Sequence, residues 1–122
     1  MRKIFYRKLI RDKIPAKMDR AGAAHDIKKL NQKDFEKELL RKVGEEASGL
    51  LSARSKKELI EELADVSDVL DEIRRIKKIK PSCIRKAQAE NARQKGSFKK
   101  RIFLVWSEDT GYRTNEKRNT KV

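Results

Sequence analysis

Two stretches decide the fold: residues 43–51 read VGEEASGLL, and residues 57–70 read KELIEELADVSDVL. In both, apolar residues recur every three or four positions, which is the period of an amphipathic α-helix. Each stretch also carries a pair of glutamates at or beside the apolar positions. Ionised carboxylates are costly on a core-facing surface unless a positive group binds them. The pattern therefore predicts two helices whose shared face holds a cation.

Capping residues predict where these helices begin and end. Asn31, with Asp34 three residues later, predicts the start of a helix that runs to about Ser52. Ser55 followed by Glu58 matches a capping box and predicts the start of the second helix. Three further elements are predicted: a short helical stretch over 15–20, a third helix from a Ser82 cap to about Gly96, and a β-prone extended segment over 101–106.

The short polar connection makes the two long helices antiparallel neighbours. The predicted fold is therefore all-α, an antiparallel helical hairpin or bundle with a short C-terminal extended segment. Residues 1–106 are expected to form one domain, and residues 107–122 a polar, mobile tail. Each long helix reaches about 30 Å, and one short third helix cannot cover both. A homodimer or homotetramer is the expected assembly.

The helical period selects three of the acidic residues as candidate metal ligands. Glu46 stands four residues before Leu50 in the apolar stripe of the first helix. On the second helix Glu62 lies about 60° from Leu59, and Asp65 lies on the shoulder of the same stripe. Oxygen ligands with no histidine or cysteine nearby favour Mg²⁺, or Mn²⁺, over zinc. Pairing of these acids with Lys or Arg from elsewhere in the chain is the alternative.

The net charge of +14 is unevenly distributed. Residues 1–33 carry a net charge of +8, residues 34–73 of −6, and residues 74–106 of +11. A basic surface alone indicates affinity for nucleic acid through phosphate neutralisation. An alternative interpretation uses both signs of charge, with a metal held by the acidic middle and a polyanionic substrate held by the two basic arms.

The sequence also bears on the cellular compartment. A single cysteine, Cys83, excludes an intrachain disulfide framework and indicates a reducing compartment. The longest apolar run covers residues 102–106, which is too short to span a bilayer, and the basic start MRKIFYRK lacks the apolar region of a signal peptide. A cytoplasmic protein without membrane contact is expected.

Three ordered motifs support a family resemblance. The arrangement EE-x-x-x, a spacer and then ELAD, on adjacent helices, resembles the all-α nucleoside-triphosphate pyrophosphohydrolases, the MazG-like superfamily. YRKLIRDKIP over 6–15 and KGSFKKRIFL over 95–104 are similar to the opening and closing signatures of its phosphoribosyl-ATP pyrophosphohydrolase-like branch. The resemblance covers roughly residues 5–105.

The resemblance implies Mg²⁺-dependent hydrolysis of a nucleoside triphosphate or related nucleotide to a monophosphate and pyrophosphate, an activity of the house-cleaning type. Glu46, Glu62 and Asp65 would hold the metal, and Glu45 would orient or deprotonate the attacking water. Basic side chains would bind the substrate phosphates: Arg11, Lys13, Arg93 and Lys95.

One departure from the family pattern bears on activity. The family reads E-E-x-x-E, whereas this chain has Gly49 at the last position, which removes one carboxylate. Three functions follow as expectations. They are an active or impaired pyrophosphohydrolase, a degenerate relative that binds nucleotide without turnover, and a basic helical nucleic-acid-binding protein.

Overall fold

The computed structural model describes residues 2–109, and this part of the chain contains four helices and no strand. The helices are α1 (Ile14–Arg20), α2 (Gln32–Ser52), α3 (Lys56–Ile76) and α4 (Pro81–Lys95). The predicted all-α class is confirmed for the described residues. Residues 101–106, expected to be extended, form no strand, and residues 110–122 of the predicted tail lie outside the described residues.

Both long helices begin at the predicted caps. The Asn31 side chain accepts a hydrogen bond from the backbone N–H of Asp34 at 2.9 Å. The Ser55 hydroxyl accepts one from the backbone N–H of Glu58 at 3.1 Å. The Glu58 carboxylate then accepts from the backbone N–H of Arg54 at 2.7 Å, one residue earlier than in a regular capping box. These bonds satisfy N–H groups that a helix start otherwise leaves unpaired.

Helices α2 and α3 pack against each other as an antiparallel hairpin. Only residues 53–55 connect them. At the other end of the hairpin Lys77, just past α3, forms an ion pair of 2.9 Å with Glu36 in the first turns of α2. Contacts at both ends of the pair fix the antiparallel direction, as the sequence predicted.

The face that α3 turns toward α2 matches the predicted stripe only in part. That stripe comprised Leu59, Leu63, Val66, Leu70 and Ile73. Val66 and Ile73 are partly covered, whereas the three leucines are 40%, 49% and 45% exposed. Glu62, Asp65 and Val69 are also partly covered, so the covered side of α3 lies roughly 80° around the helix from the leucines. The valines are smaller than leucine, and Gly49 of α2 has no side chain opposite Glu62, so the helices approach along this side.

The two shorter helices follow their local signals. Helix α1 begins at Ile14 with Pro15 in its first turn, where a missing N–H costs nothing. Helix α4 begins at Pro81, so the predicted cap at Ser82 is wrong. Proline suits the first position of a helix, because the N–H that it lacks would have no partner within the helix. Gly96 follows α4 with a φ of +79°, and its N–H donates to the Ala92 carbonyl at 2.9 Å, which confirms the predicted end.

The chain divides into two compact units, Met1–Lys86 and Ala87–Val122. The first unit holds α1, α2, α3 and the first residues of α4, and the second holds the remainder of α4 and the segment after it. Within residues 2–109 no helix combines the length and the apolar character that crossing a bilayer requires.

Leu39 of α2 is the one buried apolar side chain among the described residues, at 5% exposure. Leu39→Ala should lower the free energy of unfolding by about 2–4 kcal/mol, because it leaves a cavity between the helices. Leu40→Ala is the matched control, since Leu40 is 58% exposed and should cost well under half as much. Chemical denaturation followed by circular dichroism measures both, and equal losses would contradict this packing.

Candidate metal centre

The structure brings the three acids selected from the sequence to one place. One carboxylate oxygen from each of Glu46, Glu62 and Asp65 lies within 4.8 Å of the others. All three residues are partly buried between α2 and α3. We refer to these residues as the acidic trio. Among residues 2–109 it is the only group of three or more His, Cys, Asp or Glu side chains with this spacing.

The hairpin explains why the trio forms. Glu46 lies in the second half of α2, and Glu62 and Asp65 lie in the first half of α3, three residues apart on one side of the helix. Because the helices run antiparallel through a short connection, these positions come level with each other. The rotation of α3 places Glu62 itself on the contact face.

Gly49 has a structural role that the sequence did not indicate. A Cβ atom built on Gly49 would lie 2.8 Å from Cδ of Glu62 and nearer still to its Oε2. Carbon atoms in ordinary contact are about 3.5–4.0 Å apart, so a side chain here would have to displace the Glu62 carboxylate. Gly49 therefore leaves the space in which the Glu62 carboxylate lies.

The N-terminal segment supplies a cation to the trio. A terminal guanidinium nitrogen of Arg11 lies 3.1 Å from Oδ1 of Asp65 and 2.8 Å from Oδ2 of Asp68. The hydrogen bond to Asp68 is the main cause that raises the pKa of Arg11, and the charge and hydrogen bond of Asp65 add to it. Arg11, predicted to bind phosphate, is thus held by two carboxylates of α3.

A second cation comes from α2 itself. Lys42 Nζ lies 3.1 Å from Glu45 and 3.4 Å from Glu46, and it donates to the backbone carbonyl of Leu9 at 3.1 Å. Lys8 lies 3.6 Å from the same Glu45 carboxylate. Residues 8–11 therefore contact both helices of the hairpin at the level of the trio.

Glu45 was predicted to act on water, and the structure places its carboxylate outside the trio. Desolvation is the largest single influence on its pKa and raises it, but the hydrogen bonds and charges of Lys42 and Lys8 together outweigh desolvation. The pKa of Glu45 consequently lies below its usual value. Glu45 stays ionised at neutral pH and is correspondingly a weak base.

The two cations form ion pairs with only two of the three carboxylates of the trio. Arg11 contacts Asp65, and Lys42 contacts Glu46. Within the described part of the chain Glu62 has no ion pair or hydrogen bond through its carboxylate. Three oxygen donors with one uncompensated carboxylate suit a hard divalent cation such as Mg²⁺ or Mn²⁺, which carries the missing charge. The residues therefore fit the group that the sequence predicted.

The other predicted phosphate-binding residues are placed as follows. Lys13 immediately precedes α1 and is exposed. Arg93 lies on α4 and forms an ion pair with Glu90 one turn earlier, and Lys95 is the last residue of that helix. Arg93 and Lys95 belong to the second unit, whereas the trio and its cations belong to the first.

Two residues of the site were absent from the sequence prediction. Lys42 stands three and four residues before the first acidic pair, a spacing that places side chains next to each other on a helix, so the sequence held a signal for it. Lys8 lies in a segment without regular structure, and nothing in the sequence pattern indicated its contact with Glu45.

Comparisons with protein-family models, with curated proteins and with solved structures found no match for this chain.

Gly49→Ala tests two consequences of this glycine, its cost to helix stability and the space that it leaves for the Glu62 carboxylate. The added methyl group should improve helix propensity by up to about 1 kcal/mol and also push the Glu62 carboxylate out of the trio, lowering Mg²⁺ affinity on the order of tenfold. Isothermal titration calorimetry and denaturation measure the two effects.

Gly44→Ala is the matched control for this variant. Gly44 lies in the same helix, and a Cβ built there meets no atom within 4 Å. It should gain similar stability without loss of Mg²⁺ affinity. Unchanged Mg²⁺ affinity in both variants would contradict the role given to Gly49.

Proposed function

We propose that this protein is a Mg²⁺-dependent nucleotide pyrophosphohydrolase. The convergence of Glu46, Glu62 and Asp65 within 4.8 Å on two antiparallel helices carries the proposal. The resemblance of three ordered sequence motifs to the MazG-like superfamily supports it. The substrate would be a nucleoside triphosphate or related nucleotide, and the products a monophosphate and pyrophosphate.

The reaction follows from the chemistry of these groups. Water attacks the α phosphorus, the bond from that phosphorus to the bridging oxygen breaks, and pyrophosphate leaves with the electron pair. Mg²⁺ bound by the trio would neutralise phosphate charge and activate water. Arg11 and Lys42 lie beside the trio and are the nearest side chains that can bind the phosphate oxygens as charge shifts to the leaving group.

Glu45 suits the orientation of water better than its deprotonation. Its lowered pKa weakens it as a base, while its ionised carboxylate remains a hydrogen-bond acceptor next to Glu46. Lys42 and Lys8 fix its position. In this proposal Glu45 holds a water molecule in the direction of attack, and the proton passes to solvent.

A site with three carboxylates instead of four still has the ligands for one divalent cation, since Mg²⁺ usually keeps several waters and takes only one or two protein carboxylates. Gly49 therefore favours a one-metal enzyme over a degenerate binding protein. The position of Glu62 against Gly49 supports this view, because the remaining carboxylates converge with the glycine in place.

Glu62→Gln should greatly reduce the rate of pyrophosphate release. The purified chain should release pyrophosphate from at least one nucleotide of a broad panel in the presence of Mg²⁺, and Glu62→Gln should reduce the rate on the order of a hundredfold or more. Glu61→Gln is the matched control, because Glu61 is the adjacent, exposed acid of α3 and lies outside the trio. A coupled pyrophosphate assay measures all three proteins.

Other results would select the alternatives. Nucleotide-dependent thermal stabilisation without product would favour a binding protein. If no nucleotide is bound or hydrolysed, and DNA or RNA binds with steep salt dependence, the basic nucleic-acid binder is the better interpretation.

We further propose that the chain forms a homodimer through the leucine side of α3. Leu59, Leu63 and Leu70 recur at four and seven residues, lie on one side of the helix and are 40–49% exposed. The described hairpin buries one apolar side chain, so these leucines form an apolar surface that a second copy could cover.

Leu63→Glu should shift the chain toward the monomer, with a dimer dissociation constant raised at least about tenfold, because it puts a charge into an apolar contact. Ala64→Glu, an exposed neighbour on another side of α3, should leave the assembly unchanged. Sedimentation velocity over a concentration series measures both. A wild-type chain that is monomeric at all concentrations would refute the dimer.

A further inference from the structure

Arg11 is held at the edge of the acidic trio by two carboxylates, only one of which belongs to the trio. The same terminal nitrogen lies 3.1 Å from Oδ1 of Asp65 and 2.8 Å from Oδ2 of Asp68. The Arg11 side chain is 61% exposed, so moving its guanidinium would disrupt little packing. Asp68 lies one turn beyond Asp65 on α3 and outside the trio.

This geometry puts Arg11 in competition with a cation at the trio. A divalent ion bound by Asp65 would lie within several ångströms of the guanidinium and would repel it. The same ion would draw electron density from the Asp65 oxygen that Arg11 now contacts. Asp68 remains as an anchor, so Arg11 can leave Asp65 without losing every partner.

We propose that Arg11 occupies Asp65 as a built-in counter-cation, and that a divalent cation displaces it and frees its guanidinium for an anionic ligand. The inference rests on the proposed function, since the anion that fits is the phosphate chain of the nucleotide. The guanidinium has five N–H donors, and its contacts with Asp65 and Asp68 use a single nitrogen, so other donors remain for phosphate oxygens. Arg11 thereby couples cation binding to phosphate binding at one site.

The proposal predicts opposite effects on two affinities. Arg11→Gln removes the competing charge and should tighten Mg²⁺ binding by about three- to tenfold in the absence of nucleotide. The same variant should weaken binding of inorganic tripolyphosphate, measured with Mg²⁺ at saturation, by about tenfold. Isothermal titration calorimetry gives both affinities, and neither measurement requires turnover.

Two further variants separate this role from a structural one. Arg75→Gln removes the same charge from an ion pair with Glu72 farther along α3, and it should change neither affinity. Arg11→Lys keeps the charge and should return Mg²⁺ affinity to within about twofold of the original chain. Circular dichroism melting of each variant confirms that it is folded.

Several outcomes would overturn the proposal. If Arg11→Gln leaves Mg²⁺ affinity unchanged or weaker, Arg11 does not compete with the cation. If Mg²⁺ binding tightens but tripolyphosphate binding is unaltered, the transfer of Arg11 to the anion is wrong. If both affinities change as predicted but the chain releases no pyrophosphate from any nucleotide, the coupling is supported and the proposed hydrolysis is refuted. Failure of the coupling and failure of the proposed function therefore give different results.

Discussion

The approach of three carboxylates within 4.8 Å is the constraint on which the rest of the described hairpin depends. Like charges at this distance repel, and partial burial between helices strengthens the repulsion because water screens it less. The chain meets this cost with cations from two directions, Arg11 from the N-terminal segment and Lys42 from within α2. The segment over 8–11, which has no regular secondary structure, therefore helps to balance the charge of the hairpin.

The cations do not balance the whole negative charge of the trio. Asp65 and Glu46 each contact a cation, whereas Glu62, whose carboxylate lies against Gly49 of α2, has no partner among residues 2–109. A structural ion-pair network would be expected to pair every partly buried charge, because desolvation of an unpaired charge is costly. Here two of the three carboxylates are paired, and the third remains for a ligand. This distribution favours a binding site over a purely structural cluster.

Much of the hairpin could be predicted from local sequence signals, because they act within one helical turn. The caps at Asn31 and Ser55, the stop at Gly96 and the level placement of Glu46 with Glu62 all depend on spacing along a helix. The contact face of α3 could be predicted only in part, because Val66 and Ile73 are covered as expected and the three leucines are not. Hydrophobicity predicted that the leucines would contact α2. The face that packs depends on which side chains of both helices allow the two backbones to approach.

The same limit explains why long-range contacts within the chain were missed. The family resemblance implied that Arg11 binds phosphate, but its contacts with Asp65 and Asp68, more than fifty residues away in sequence, were not predicted. Lys8 reaches Glu45 from a segment without helical or strand period, so no periodic rule applies to it. A charge pattern indicates which ions a chain can bind. Which of the chain's own charged groups pair with each other depends on the fold.

Gly49 shows how a sequence comparison and a structure assign different meanings to one residue. Against the family pattern it is a lost carboxylate, which suggests a weakened site. In the fold it is the absence of a Cβ at the place where the Glu62 carboxylate lies against α2. A fourth acid at this position would have to share that space with Glu62, so a glutamate here would not simply add a ligand to the present arrangement. The glycine and the position of Glu62 therefore form one feature, and the three-carboxylate site is a self-consistent geometry of this chain.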